Sequence, residues 1–312
     1  MPYNTGIGTN GFRIKAFVIT MLNNNTSVVG ARTVLNSIEV TKSKVQPFLL
    51  AATTPQTIKK DIHDNFPKDF VKSIWVNETL RWTWPINSSQ DGIDFSTGLY
   101  KKAYTAADQR KVMACAISHM RLWQHSIDIN QPIMVLEHDA LFVRKFDYKS
   151  IVMCGEKDSD DNYYDVVDGE IPMTEYPHFS KDNSSNGNVT DYTGQFNGGI
   201  LGINNPIKAT RKAAIFDQKV KQLNLTNGKA TKIGVSTVPY VDEPGDLPLP
   251  SGLAGNSAYI IKPWAAQKLL DKVKEIGLWP NDALMCRQFF PWIQVYYPYY
   301  TQMQLTSSTT TL

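Results

Sequence analysis

The 312-residue chain is 42% hydrophobic and 20% charged, which is enough apolar matter for a large core and excludes wholesale disorder. A formal net charge of +3 makes no electrostatic case for nucleic acid. Three cysteines without CxxC spacing exclude a disulfide framework or zinc ribbon and point to a reducing, cytoplasmic setting.

The opening MPYNTGIGTNG has no apolar stretch of the kind a signal peptide needs, so none is expected. No run of about eighteen apolar residues predicts a membrane span. IKAFVITML (14–22) reads as a buried strand, 28–40 as a helix, VQPFLLAA (45–52) as a second strand and 54–66 as a short helix. This alternation predicts an α/β fold with a doubly wound start. Residues 77–107 read as loop. Residues 108–128 give the clearest helix, capped by Asp108, with Val112, Ala116, His119 and Trp123 on one face. Cys115 reads as a small core residue of that helix.

The strand PIMVLE follows and runs into Glu137-His138-Asp139. Residues 155–195, with the acidic run EKDSDD, read as an insertion, and 236–252 as a long Pro- and Gly-rich loop. FNGGILGINNP (196–206) has strand character, 207–223 reads as a basic helix, and 256–277 as strand then helix ended by Gly277. FFPWIQVYYPYY (289–300) supplies a last strand, and the polar tail after it is expected to fray. One domain is expected, with its core over about 14–300 and insertions at 77–107, 155–195 and 236–252.

Alternate side chains of a strand share a face, so Glu137 and Asp139 should point one way and His138 the other. Two acids at the carboxyl end of a strand sit where open α/β sheets bind ligands. Their hard oxygen donors suit Mg²⁺ or Mn²⁺, particularly beside phosphate oxygens, and the plainer alternative is a solvated strand end. Asn197-Gly198-Gly199 is either a close-approach wall for a substrate or a β-bulge. Tyr259 reads as packing within an apolar strand.

ACAISHMRLWQ followed by IMVLEHDALF resembles the signature of glycosyltransferase family 25, a G-C-x-x-S-H-x-x-x-W helix before a strand ending in E-D-D. Cys115, Ser118, His119 and Trp123 fall at matching positions, and Glu137 and Asp139 match the outer acids. LAGNSAYIIKPWAAQKLL is similar to the family's G-x-x-A-Y-x-I block through Gly255, Ala258, Tyr259 and Ile261, and PND to its P-V-D, with Asp282 as the acid. FVITML resembles the opening V-I-N-L strand, with Arg32 as the downstream arginine. Three departures stand out: Ala114 replaces a glycine, AATTP replaces A-V-D-G, and His138 replaces the middle acid.

The resemblance implies a GT-A-like, Rossmann-like fold and inverting transfer of a hexose from UDP-galactose or UDP-glucose, with Mn²⁺ or Mg²⁺ as cofactor. It implies metal ligation by Glu137 and Asp139, and a donor site that also includes Arg32, Ser118 and His119. Substrate contacts are expected from Asn197, Gly198, Gly199, Gly255 and Asp242, and Asp282 is the expected base. The expected acceptor is a saccharide. The alternatives are a hydroxymethylated base in DNA, or a non-catalytic nucleotide-sugar or glycan-binding module in which His138 marks a decayed site.

Overall fold

The structure, a computed structural model, describes residues 13–104, 106–147, 196, 198–206, 211–223, 225–226, 229–230, 234–241 and 247–304. Asn197 and Asp242, together with the insertion at 155–195 and the polar tail, lie outside the described residues.

The main sheet has seven strands: β1 (Ile14–Thr20), β2 (Val45–Ala51), β3 (Ile133–Glu137), β5 (Ile200–Gly202), β7 (Gly234–Thr237), β8 (Ala258–Ile261) and β9 (Gln294–Tyr297). Their spatial order is β7-β9-β5-β8-β3-β1-β2. β1 is parallel to both β2 and β3, whereas β8 runs antiparallel to both β3 and β5. A smaller sheet joins β4 (Ala140–Phe142), β6 (Asn204–Asn205) and β10 (Thr301–Met303) in the order β6-β10-β4. The chain is therefore a mixed α/β fold with one large mixed sheet flanked by helices, consistent with a Rossmann-like glycosyltransferase fold.

The sheet separates two cores because alternate residues of each strand face opposite sides. Ile133 and Val135 of β3 join Tyr259 and Ile261 of β8 on one side. Helices α4 (Gln109–Asp128) and α6 (Pro263–Ile276) pack there through Ile117, Met120, Trp123, Leu269 and Leu270. Met134 and Leu136 face the other side, against Ala31, Val34 and Ile38 of α1 (Asn25–Val40).

Local signals explain most boundaries. Asp108 caps α4 by accepting from the Arg110 amide at 3.0 Å, and Asn24 caps α1 by accepting from the Ser27 amide at 3.0 Å. That cap starts α1 three residues earlier than its apolar periodicity suggests. Residues 54–66 form a shorter helix, α2 (Ile58–Asn65), and a further helix, α3 (Lys68–Ile74), follows Pro67. The stretch 77–107 expected to be loop holds one small hairpin, Gly92–Asp94 with Leu99–Lys101, and the second strand of another, Trp75–Val76 with Thr79–Leu80, which straddles its start. Their strands of two or three residues are too short to show an alternating pattern. The basic helix is described as α5 (Arg211–Leu223). The last aromatic stretch supplies β9, which ends before Pro298 because proline has no amide hydrogen to continue the ladder, and β10 begins just beyond the stretch at Thr301.

Candidate active site

The chain leaves β1 on one side to form β2 and crosses to the other side to form β3. The carboxyl ends of β1 and β3 thus flank a topological switch point, where open α/β sheets leave a crevice. Ile19 of β1 is level with Glu137, the last residue of β3, and the Glu137 amide donates to the Ser257 carbonyl at 2.7 Å. Glu137 continues the Ile133–Val135 face, which brings its carboxylate under α4.

There it meets His119. The imidazole is fully buried, and its Nε2 lies 3.3 Å from Glu137 Oε1. The approach is not aligned as a hydrogen bond, so Nε2 is a buried polar atom without a partner. On the other edge of the ring, Nδ1 lies 2.9 Å from the Tyr259 hydroxyl, and Trp123 Nε1 donates to that hydroxyl at 2.8 Å. An indole can only donate, so the tyrosine oxygen accepts from Trp123. The Tyr259 hydrogen is then free for Nδ1, which in the neutral ring leaves the imidazole hydrogen on Nε2, facing Glu137.

Cys115, one turn before His119 on α4, adds a thiol to this group. One ligand atom each from Cys115, His119 and Glu137 lies within 4.8 Å of the others. Burial pushes the Cys115 thiol well up, and the charges of Glu137, Asp282 and Asp139 push it further. Cys115 is only partly buried and its Sγ lies 4.0 Å from Asn281 Oδ1, so it is more than core filling. The signal in the sequence was the spacing of Cys115 and His119, four residues apart on one helical face.

Asp139 is buried in the turn after β3, and its Oδ1 has no partner. Burial, then the charge of Glu137, raises its pKa to about 7, against a lowering hydrogen bond from Ser257. Among the described residues no Lys or Arg forms an ion pair with Glu137 or Asp139. His138 points to the opposite side: a Cβ placed on Gly30 of α1 would stand 2.6 Å from the His138 carbonyl oxygen and 3.1 Å from its ring. Burial lowers the His138 pKa. Gln304, which no sequence motif marked, holds this turn from outside. Its amide donates to the Asp139 carbonyl at 2.8 Å, and its side chain donates to the carbonyls of Gly30 at 3.1 Å and His138 at 3.3 Å.

Asp282 lies in the short helix α7 (Asn281–Leu284), whose first residue is near the group on α4: Asn281 Oδ1 stands 4.0 Å from Cys115 Sγ. Burial raises the Asp282 pKa, and the Tyr104 hydroxyl donates to its Oδ1 at 2.6 Å, lowering it. Tyr104 is 36% exposed, but this bond turns its hydroxyl toward the carboxylate. Gly252 packs so closely on the Asp282 and Met285 carbonyls that any side chain there would strike backbone.

The remaining candidates take other places. Ser118 Oγ accepts from the Thr53 amide at 2.9 Å and donates to the Ala114 carbonyl at 2.9 Å, so it ties α4 to the end of β2. Arg32 is exposed on α1; two residues from Gly30 is about 200° around a helix, away from the face toward His138. Gly198 and Gly199 are pressed against the Trp292 carbonyl and the Trp264 ring, which gives both a packing role. Gly255 has φ +61° in the turn before β8, and its carbonyl accepts from Asn204 Nδ2 at 2.7 Å and the Ser257 amide at 2.7 Å. Beside it, Asn256 buries both amide atoms without partners next to a cavity of about 10 Å³, room for one water.

No helix among the described residues is long and apolar enough to cross a membrane. The sequence matches no curated protein. Residues 53–192 match the model of glycosyltransferase family 25 (LPS biosynthesis protein), a segment that contains α4, β3 and the Glu137-His138-Asp139 turn. That match covers just under half of the chain, and with the large mixed sheet and the acids at its switch point it supports a glycosyltransferase similar to family 25.

Proposed function

We propose that this glycosyltransferase moves a hexose from a nucleotide-diphospho-sugar, UDP-galactose or UDP-glucose by family resemblance, to a saccharide hydroxyl, with inversion at the anomeric carbon. The observation that carries the reading is the acid pair at the switch point. Asp139 is buried, has an unpartnered oxygen, and has a pKa raised to about 7 with no ion-paired Lys or Arg beside it among the described residues. A buried carboxylate in that state fits a cation supplied from outside the chain.

Glu137 and Asp139 would hold Mn²⁺ or Mg²⁺ there, and the ion would supply neutralisation of charge on the departing diphosphate. His119 stands behind Glu137, and the Tyr259 hydroxyl sets the His119 ring. Asp282 takes the proton of the acceptor hydroxyl as its oxygen bonds to the anomeric carbon. The bond from that carbon to the diphosphate breaks, and the nucleotide leaves with the electron pair. Burial raises the Asp282 pKa toward the range useful to a base.

The test is hydrolysis or transfer from a panel of nucleotide sugars, with and without Mn²⁺, by the native chain and by Asp139→Ala. Metal-dependent turnover that disappears in the variant is expected. Full activity in Asp139→Ala would sink the assignment of the ion.

A further inference from the structure

We infer that Cys115, His119 and Glu137 form a binding site for a soft divalent ion of the Zn²⁺ type, and that filling it withdraws Glu137 from the hard ion of the donor site. A thiolate, an imidazole and a carboxylate form a zinc-type donor set, whereas Mg²⁺ and Mn²⁺ favour oxygen donors. The three donor atoms already lie within 4.8 Å of one another. Tetrahedral zinc bonds of about 2.0–2.3 Å require separations of roughly 3.3–3.8 Å, so side-chain adjustments of about an ångström suffice.

A second observation points to a ligand at the same place. His119 Nε2 is buried, lacks a hydrogen-bond partner and is aimed at Glu137. If Nε2 ligates an ion, the ring hydrogen moves to Nδ1, and the Tyr259 oxygen at 2.9 Å can accept it beside the Trp123 donor. Such an orienting partner behind a ligating histidine is the usual arrangement in metal sites. Glu137 is 29% exposed, so a solvent path reaches the group and a fourth position is open to water or an anion. Zinc must displace the thiol proton, so affinity should fall as pH falls. With Glu137 drawn toward α4, Asp139 is the one acid of the turn left for Mn²⁺ or Mg²⁺.

Binding of the soft ion rests on this geometry alone; the displacement rests on the proposed role of Glu137 in the donor site. The experiment titrates the reduced full chain with Co²⁺ as the optical substitute for Zn²⁺. A thiolate-to-cobalt absorption band saturating at one equivalent and bleached by Zn²⁺ is expected. It should vanish in Cys115→Ser, and in Tyr259→Phe the affinity should drop about tenfold or more. Absence of the band in the native chain, or its persistence in a folded Cys115→Ser, overturns the site. In a second arm, free Mn²⁺ is followed by electron paramagnetic resonance. One equivalent of Zn²⁺ should release bound Mn²⁺ from the native chain and not from Cys115→Ser. Simultaneous binding of both ions overturns the displacement. Failure to bind Mn²⁺ even without zinc removes the donor-site ion, and the cobalt band still decides the soft site.

Discussion

Single atoms decide much of this site. The Tyr259 hydroxyl serves two buried partners, His119 and Trp123. In Tyr259→Phe both lose it, and each unsatisfied buried group costs about 1–3 kcal/mol. Urea denaturation should show a loss within twice that range, far above the effect of removing one exposed hydroxyl. Asp139 makes stability pH-dependent. Its folded pKa of about 7 lies above its ordinary value of 3.8, so between these values the folded chain keeps a proton that the unfolded chain loses. Stability of the metal-free protein should therefore fall as pH rises through that window, by at most about 1.4 kcal/mol per pH unit from this group, and level off above it. Asp139→Asn should flatten the profile and be the more stable protein at pH 8; a profile unchanged by the substitution would contradict the burial argument. For Asp282→Asn, turnover should drop by about 10²–10⁴ with little change in KM if the carboxylate acts as base. The acids were legible in sequence because the end of a buried strand is a costly place for charge. Cys115 and Tyr259 were not, because a thiol or a phenol in an apolar stretch reads as packing until its neighbours are known.

Whole elements hold these atoms in place. Helix α4 brings Cys115, His119 and Trp123 down one stripe, while β3 delivers Glu137 to the α4 side and His138 to the α1 side by simple alternation. Gly30 lets α1 touch the turn. Alanine there would gain up to about 1 kcal/mol of helix propensity. Its Cβ would nevertheless stand 2.6 Å from the His138 carbonyl oxygen, and backbone cannot move aside cheaply. The clash should win. Gly30→Ala is expected to lower the melting temperature and weaken Mn²⁺ binding; a stabilised protein would show that α1 and the turn shift freely. The long helix, the central strands and Gly277 were visible from periodicity and punctuation. The short hairpins and Gln304 were not. The hairpins are too brief to carry a period, and Gln304 acts only through a carbonyl cluster assembled from three distant parts of the chain.

At the scale of the molecule, the crossover from β2 to β3 opens the switch-point crevice, and α7 packs beside Cys115 of α4 through Asn281. A ligand that binds the folded chain alone stabilises it by about 2.7 kcal/mol at a hundredfold excess over Kd. Mn²⁺ with UDP should thus raise the melting temperature of the native chain and leave Asp139→Ala unmoved; an equal shift in both would place the ion elsewhere. The sequence by itself determined the α/β class, the principal helix and strands, the acid pair and the family resemblance, because periodicity, capping and motif spacing are local properties. Only the tertiary structure decided which groups meet. It set His119 beside Glu137, gave Gly198 and Gly199 to tryptophan packing, and turned Arg32 to solvent. Those outcomes depend on the register of strands and on helix faces packed from far along the chain, which no local pattern encodes.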